Sequence, residues 1–329
     1  MSSNILFFCK TPLQALIINR LIDNSNSERE AYVIYIPNNH GSLHKIYFDK
    51  INATKKFFLD FSHSKLSDSF SHLINFYKLP KFIRRNNFKR IYFSSIGDIV
   101  LSLLLGRNKD CQLHLFADGA FNLEETSFMS WISSASSIKK IIIFFFKGEK
   151  PLDSYKKLSC YHTISPISFS NWMNCPVKKV NLFNENNQKK LNKDTNHNKL
   201  RVLIGSYFSD EESELEAAYH KAIKNIRTDI HIPHPGNNSE SLLLVESLEA
   251  LSQDNCFECM IAEEIVLTLL NQGYKIYLYG FSSTVLFNMS NLTPTISIAL
   301  DVNSFSKKEL FKKAKIKVIK GYQESNIIF

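Results

Sequence analysis

Several short stretches gather side chains able to move protons or hold anions. Ser209-Asp210-Glu211-Glu212 follows an apolar run ending at Ile204 and a Gly205-Ser206 pair. A carboxylate at a strand end acts as a general base when partial burial tunes its pKa. The same residues also make an ordinary helix start, Ser as cap and acids facing the helix dipole, so both readings of Asp210 and Glu211 stand. In His231-Ile232-Pro233-His234-Pro235-Gly236-Asn237 an imidazole stands where the chain turns out of a strand. Pro235 confines His234 to an extended backbone and so fixes its direction. Protonated, His234 can hydrogen-bond a phosphate and hand a proton to a leaving group; a capping or solvated histidine is the alternative. Gly280-Phe281-Ser282-Ser283-Thr284 offers hydroxyls and backbone N–H groups at a helix start, either an anion site or a plain N-cap. Glu263-Glu264 opens another helix, where a carboxylate can grip ribose hydroxyls or simply complement the dipole. In Phe116-Ala117-Asp118-Gly119, Asp118 ends an apolar run just before a glycine. It reads as a catalytic acid, a phosphate-loop residue or a turn former. Cys256-Phe-Glu-Cys259 is a lone C-x-x-C without a second pair or a nearby His pair, which falls short of a structural zinc site. A redox role would want a strand before the pair and a helix N-terminus at it.

The elements that must carry these residues alternate between strand and helix. Apolar runs over Asn4–Cys9, Ala31–Pro37, Arg90–Ser94 and Leu113–Phe116 read as buried strands. Thr11-Pro12 supplies a helix start, with Leu13, Leu16, Ile17 and Leu21 one turn apart, and Ile99–Leu105 reads as a second helix. Residues 186–199 are almost wholly polar and read as a linker. Beyond it the rhythm restarts: strands over Leu200–Ile204, Ile230–Ile232, Tyr274–Tyr279 and Thr295–Leu300, and helices over Glu211–Ile226, Ala262–Leu270 and Val285–Met289. This pattern implies two α/β halves, residues 1–185 and 200–329, facing a ligand cleft formed by strand ends.

Composition narrows the function classes. The chain has 329 residues, 44% of them hydrophobic, with 26 Phe and only 10 Gly, which suits a folded α/β protein and argues against a sandwich or solenoid. No Walker A, GxGxxG, HExxH or GxSxG occurs. The net charge of +9 suits an anionic partner or a lysine-rich surface. The six cysteines lack a disulfide-framework spacing, which implies a reducing compartment. The first apolar run is too short for a signal peptide, and Ile141–Phe146 is far short of a membrane span. With Lys139, Lys140 and Lys147 around it, this block reads first as a buried helix or strand and second as a membrane-surface segment.

Taken in order, CKTPLQALI, RIYFSSIGDIV, FADGAFNL, VLIGS, IPHPG, IAEEI and YGFSST resemble the bacterial lipooligosaccharide sialyltransferases of glycosyltransferase family 52. The resemblance implies a GT-B-like fold of two Rossmann-type domains, an acceptor-side 1–185 and a donor-side 200–329. It implies inverting transfer of sialic acid from CMP-sialic acid to a terminal galactose of lipooligosaccharide, without a metal or other cofactor. His234 would then assist phosphate departure, Ser282 and Ser283 would hold the phosphate, and Glu263 would lie near the cytidine ribose. Gly205, Ser206, Pro235, Gly236 and Asn237 would line the donor site. Asp210 would be the base with Glu211 as its alternative, and Asp118 a substrate-orienting carboxylate. Ala117 stands where family members often carry a further acid. The resemblance also implies a protein peripheral to the cytoplasmic face of the inner membrane and a homodimer, while the lack of an aromatic-basic RNA-binding signature argues against a nucleic-acid partner. The competing readings are a same-fold enzyme using another nucleotide sugar, and a non-catalytic basic membrane- or nucleic-acid-binding protein.

Overall fold

The computed structural model describes residues 4–24, 30–38, 41–59, 68–94, 96–117, 125–133, 136–165, 170–182, 198–206, 217, 228–234, 242–244, 248–281, 283–290, 292, 295–301 and 308–320. The chain divides into two compact units, Met1–Leu182 and Phe183–Phe329. The polar stretch 186–199, apart from Asn198 and Lys199, and the expected helix Glu211–Ile226, apart from Ala217, lie outside the described residues.

The first unit is built on a seven-stranded sheet. Its strands are β1 (Ile5–Cys9), β2 (Ala31–Tyr35), β3 (Lys55–Phe58), β4 (Arg90–Phe93), β5 (Gln112–Phe116), β6 (Leu158–Thr163) and β7 (Val177–Lys179), in the order β3-β2-β1-β4-β5-β6-β7. All neighbours pair in parallel. Every residue of β1 and β2 is buried, as a parallel strand covered on both faces requires. Helix α1 (Pro12–Asp23) starts where Thr11 accepts a hydrogen bond from the Gln14 N–H, and it buries Gln14, Ala15, Ile17, Ile18 and Leu21. Helices α2 (Leu43–Asp49), α3 (Asp68–Lys78) and α4 (Lys81–Arg85) precede β4, and α5 (Ile99–Leu105) follows it. Next come α6 (Glu125–Ser133), α7 (Ser137–Phe145) and α8 (Pro151–Lys156). Helix α5 is buried along its whole length. At its end a Cβ on Gly106 would lie 2.1 Å from the Lys147 carbonyl, so glycine permits the close seat of the turn that follows α7.

The second unit repeats the scheme. Its strands are β8 (Lys199–Ile204), β9 (Ile230–Ile232), β10 (Leu243–Leu244), β11 (Lys275–Gly280), β12 (Thr295–Asp301) and β13 (Lys317–Lys320), in the order β10-β9-β8-β11-β12-β13. Only the two-residue β10 runs antiparallel to its neighbour. Helices α9 (Glu249–Asn255), α10 (Ala262–Asn271), α11 (Thr284–Met289) and α12 (Lys308–Lys313) accompany this sheet. Leu203, Tyr279, Ile298 and Leu300 belong to one buried cluster of this unit. Three of the four outer strands carry lysines: Lys55 and Lys56 on β3, Lys178 and Lys179 on β7, and Lys317 on β13.

One expectation needs correcting here. Ile141–Phe146 is not a buried block. Helix α7 buries Ile142 and Ile143 on one side, while Ile141 is 54% exposed and Phe144 and Phe145 are each 74% exposed. Its apolar residues run all the way round the helix, so one packed face leaves another in solvent.

Candidate active site

In the second unit the chain reverses its winding between β8 and β11: β9 lies on one side of β8 and β11 on the other. Loops leaving the carboxyl ends of two such strands diverge, which opens a crevice for a ligand. Gly205 and Ser206 follow β8, His234 follows β9, and Ser283 follows β11. The Gly205 N–H donates to the Ile232 carbonyl at 2.7 Å. A Cβ on Gly205 would stand 2.4 Å from the His234 nitrogen, so only glycine lets these two chain segments touch. His234 is exposed, and Ser206 and Ser283 are half-buried. The Ser283 hydroxyl caps α11 by accepting from the Val285 N–H at 3.3 Å, which leaves its own proton free for a further acceptor.

Glu263 behaves differently from its neighbours. It is 5% exposed, and its Oε1 accepts from Asn288 Nδ2 at 3.0 Å, tying α10 to α11. Burial raises its pKa, more strongly than the backbone and Asn288 hydrogen bonds lower it. Asp118, Asp210, Glu211, Pro235, Gly236, Asn237 and Ser282 lie outside the described residues. Of the C-x-x-C pair, Cys256 caps α9 in a left-handed conformation with φ 52°, and its Sγ is 2.7 Å from that of Cys259. Neither is in a disulfide, and the pair is preceded by a helix, not by the strand a redox motif would want.

The first unit has its own winding reversal, between β1 and β4, and charged residues at it that sequence reasoning missed. Lys10 follows β1, and Asp98 sits between β4 and α5. Lys10 Nζ donates to Asp98 Oδ2 at 3.0 Å, while Asp98 Oδ1 caps α5 by accepting from Val100 N at 2.8 Å and Leu101 N at 3.4 Å. His72 Nδ1, on α3, lies 3.5 Å from the same Oδ2. Burial pushes the Asp98 pKa up, yet Lys10, His72 and the helix amides outweigh it and leave the carboxyl at about 2. The signal available in sequence was a lysine and an aspartate each just past a buried strand.

The expectation that no metal is required is corrected by a second group in this unit. His114 on β5 and Cys160 and His162 on β6 have their donor atoms all within 4.8 Å of one another, a set able to hold a metal ion. All three are buried, and His114 Nδ1 and His162 Nε2 are 3.0 Å apart. Ala117, just beyond β5, is also buried, and its N–H donates to the His162 carbonyl at 2.8 Å. A carboxylate at that position would be buried, which accounts for an alanine there.

Two largely parallel, helix-flanked sheets with loops gathered at their carboxyl edges make a GT-B-like fold. The pattern of glycosyltransferase family 52 matches residues 28–302, and the chain belongs to that family. A relative, the N-acetyllactosaminide alpha-2,3-sialyltransferase of Neisseria meningitidis serogroup A / serotype 4A (strain DSM 15465 / Z2491), is 25% identical over 240 residues. That match covers 70% of this chain, which spans 62% of the relative's length. Among solved structures, TcCGT1 in complex with UDP is similar with a TM-score of 0.52 at 9% identity, covering 98% of this chain and 86% of that one. The UDP-N-acetylglucosamine 2-epimerase of Rickettsia bellii gives a TM-score of 0.49 at 12% identity, covering 99% of this chain and 86% of that one. Among the described residues no helix is long and apolar enough to cross a membrane.

Proposed function

We propose that this enzyme is an inverting sialyltransferase that moves sialic acid from CMP-sialic acid to a terminal galactose of a surface glycolipid such as lipooligosaccharide. Membership of family 52 and the meningococcal sialyltransferase relative support the donor class. The observation that carries the assignment of residues is the contact between Gly205 and His234 at the switch point of the second sheet. In this reading residues 200–329 bind the donor and residues 1–185 the acceptor. His234, protonated, offsets charge on the CMP phosphate and gives it a proton as the glycosidic C–O bond breaks. Ser282 and Ser283 donate hydroxyl protons to the same phosphate, with Gly205, Ser206, Pro235, Gly236 and Asn237 forming the surrounding backbone. Asp210, or Glu211 beside it, takes the proton of the acceptor hydroxyl as that oxygen attacks the anomeric carbon from the opposite face. Asp118 orients substrate. Glu263, held by Asn288, acts near the ribose as a fixed wall more than as an exposed grip.

The acceptor's lipid anchor calls for a membrane-facing surface, and α7 has the chemistry for one. Its exposed Ile138, Ile141, Phe144 and Phe145 lie among Lys139, Lys140 and Lys147, and no acid occurs in residues 136–148. The Phe146 ring is 6.4 Å from that of Tyr77, which adds Lys78 and Lys81 nearby in the chain. Apolar rings ringed by cations match an anionic leaflet, so the enzyme works peripherally on the cytoplasmic face of the inner membrane. A homodimer is part of the same reading.

Incubation with CMP-sialic acid and a lactose-type acceptor tests the assignment through CMP release and a sialylated product. Consumption of a hexose nucleotide instead, with CMP-sialic acid untouched, would move the enzyme to another donor within the fold.

A further inference from the structure

Strands β5 and β6 carry three metal-ligating side chains that sugar transfer does not use. Cys160 and His162 are two residues apart on β6 and so project from the same face. His114 joins them through an irregularity of register: Leu113 pairs with Leu158, but the next residue, His114, pairs with Cys160, so β6 spends Ser159 as an extra residue. In an unbroken ladder His114 would face Ser159 and point away from Cys160; a bulge re-aims it. The Tyr92 ring stacks on the His114 imidazole at 4.4 Å and holds its plane. The remaining nitrogen, His114 Nε2, is buried with no hydrogen-bond partner. In a tetrahedral zinc site two ligating nitrogens stand about 3.3 Å apart. The 3.0 Å contact between the two rings therefore needs to open by only a few tenths of an ångström.

The donor chemistry selects the ion. Both imidazoles are buried, a setting that favours their neutral, ligating form. A thiol and two imidazoles, with no carboxylate among them, suit a borderline-soft ion such as zinc and not magnesium or calcium, which take oxygen ligands. Binding releases the Cys160 thiol proton to solvent as the sulfur–metal bond forms.

We propose that His114, Cys160 and His162 bind a zinc ion, cross-linking β5 and β6. The proposal does not depend on the sugar donor. Cobalt(II) added to chelator-treated full-length protein provides the test, because thiolate ligation gives a sulfur-to-metal charge-transfer band beside tetrahedral d–d bands. One equivalent should bind with both features. Cys160→Ser and His162→Gln should each weaken binding by more than about 100-fold, beyond the range of outer-shell substitutions. If Cys160→Ser fails to fold, the wild-type melting temperature with and without chelator decides, and no fall on chelation would overturn the proposal. So would absence of cobalt after gel filtration, or a spectrum lost in Cys256→Ser but kept in Cys160→Ser.

Discussion

Exposed His234 can be removed without cost to the core, so its variant separates chemistry from folding. His234→Ala should lower turnover by about 10²–10⁴-fold, the usual loss for a general acid. Its melting temperature should stay near that of the wild type, since the side chain is exposed. Glu263 makes the opposite prediction. Its folded pKa is raised, so it favours the folded state below the unfolded glutamate pKa, and that contribution is lost as pH rises through the folded value. Glu263→Gln keeps an acceptor for Asn288 and removes the charge, so its stability relative to wild type should rise as pH climbs above the ordinary glutamate value, read by thermal unfolding at each pH. Asp98 is depressed instead, and its contribution is present above the unfolded aspartate value and is lost as pH falls toward about 2. Asp98→Asn retains a helix cap but leaves Lys10 without its partner, and should cost about 3 kcal/mol in denaturant titration at pH 7. His234 was legible because His-Pro closes an apolar strand. Asp98 was not, because an aspartate before an apolar helix reads as a cap, and its lysine lies 88 residues away.

Among the elements, the β8–β9 junction tolerates least. Gly205→Ala should drive β8 and the His234 backbone apart, and a displacement of about 1 Å in a catalytic group costs roughly 10²-fold in turnover. The measurement is kcat at saturating donor, together with a melting curve to show the fold survives. Helix α7 sets a different expectation. Phe144→Ser with Phe145→Ser should abolish co-sedimentation with anionic vesicles yet leave transfer to a soluble acceptor unchanged, because those rings are 74% exposed. Continuous apolar runs such as Ile5–Cys9 announced their strands in advance. Strands β3 and β7 did not, since lysines break their apolar character. The His114–Cys160 juxtaposition was illegible for a further reason. It depends on one extra residue in a ladder between strands more than 40 residues apart, and local spacing carries no trace of it.

For the whole molecule, the net charge of +9 makes vesicle binding salt-dependent. Binding should weaken as ionic strength passes from 0.01 M to about 0.15 M, where the screening length falls from about 30 Å to about 8 Å. The charge has a second consequence that concerns no ligand. Among the described residues each sheet ends in strands whose outer backbone groups have no strand to pair with, and an edge of this kind invites addition of another chain. Lys55 and Lys56, Lys178 and Lys179, and Lys317 stand on those edges, while β10 is only two residues long. A copy approaching edge to edge would bring like charges into register before any backbone bond could form. The basic surface thus guards the enzyme against its own polymerisation at the crowded membrane where it is proposed to work.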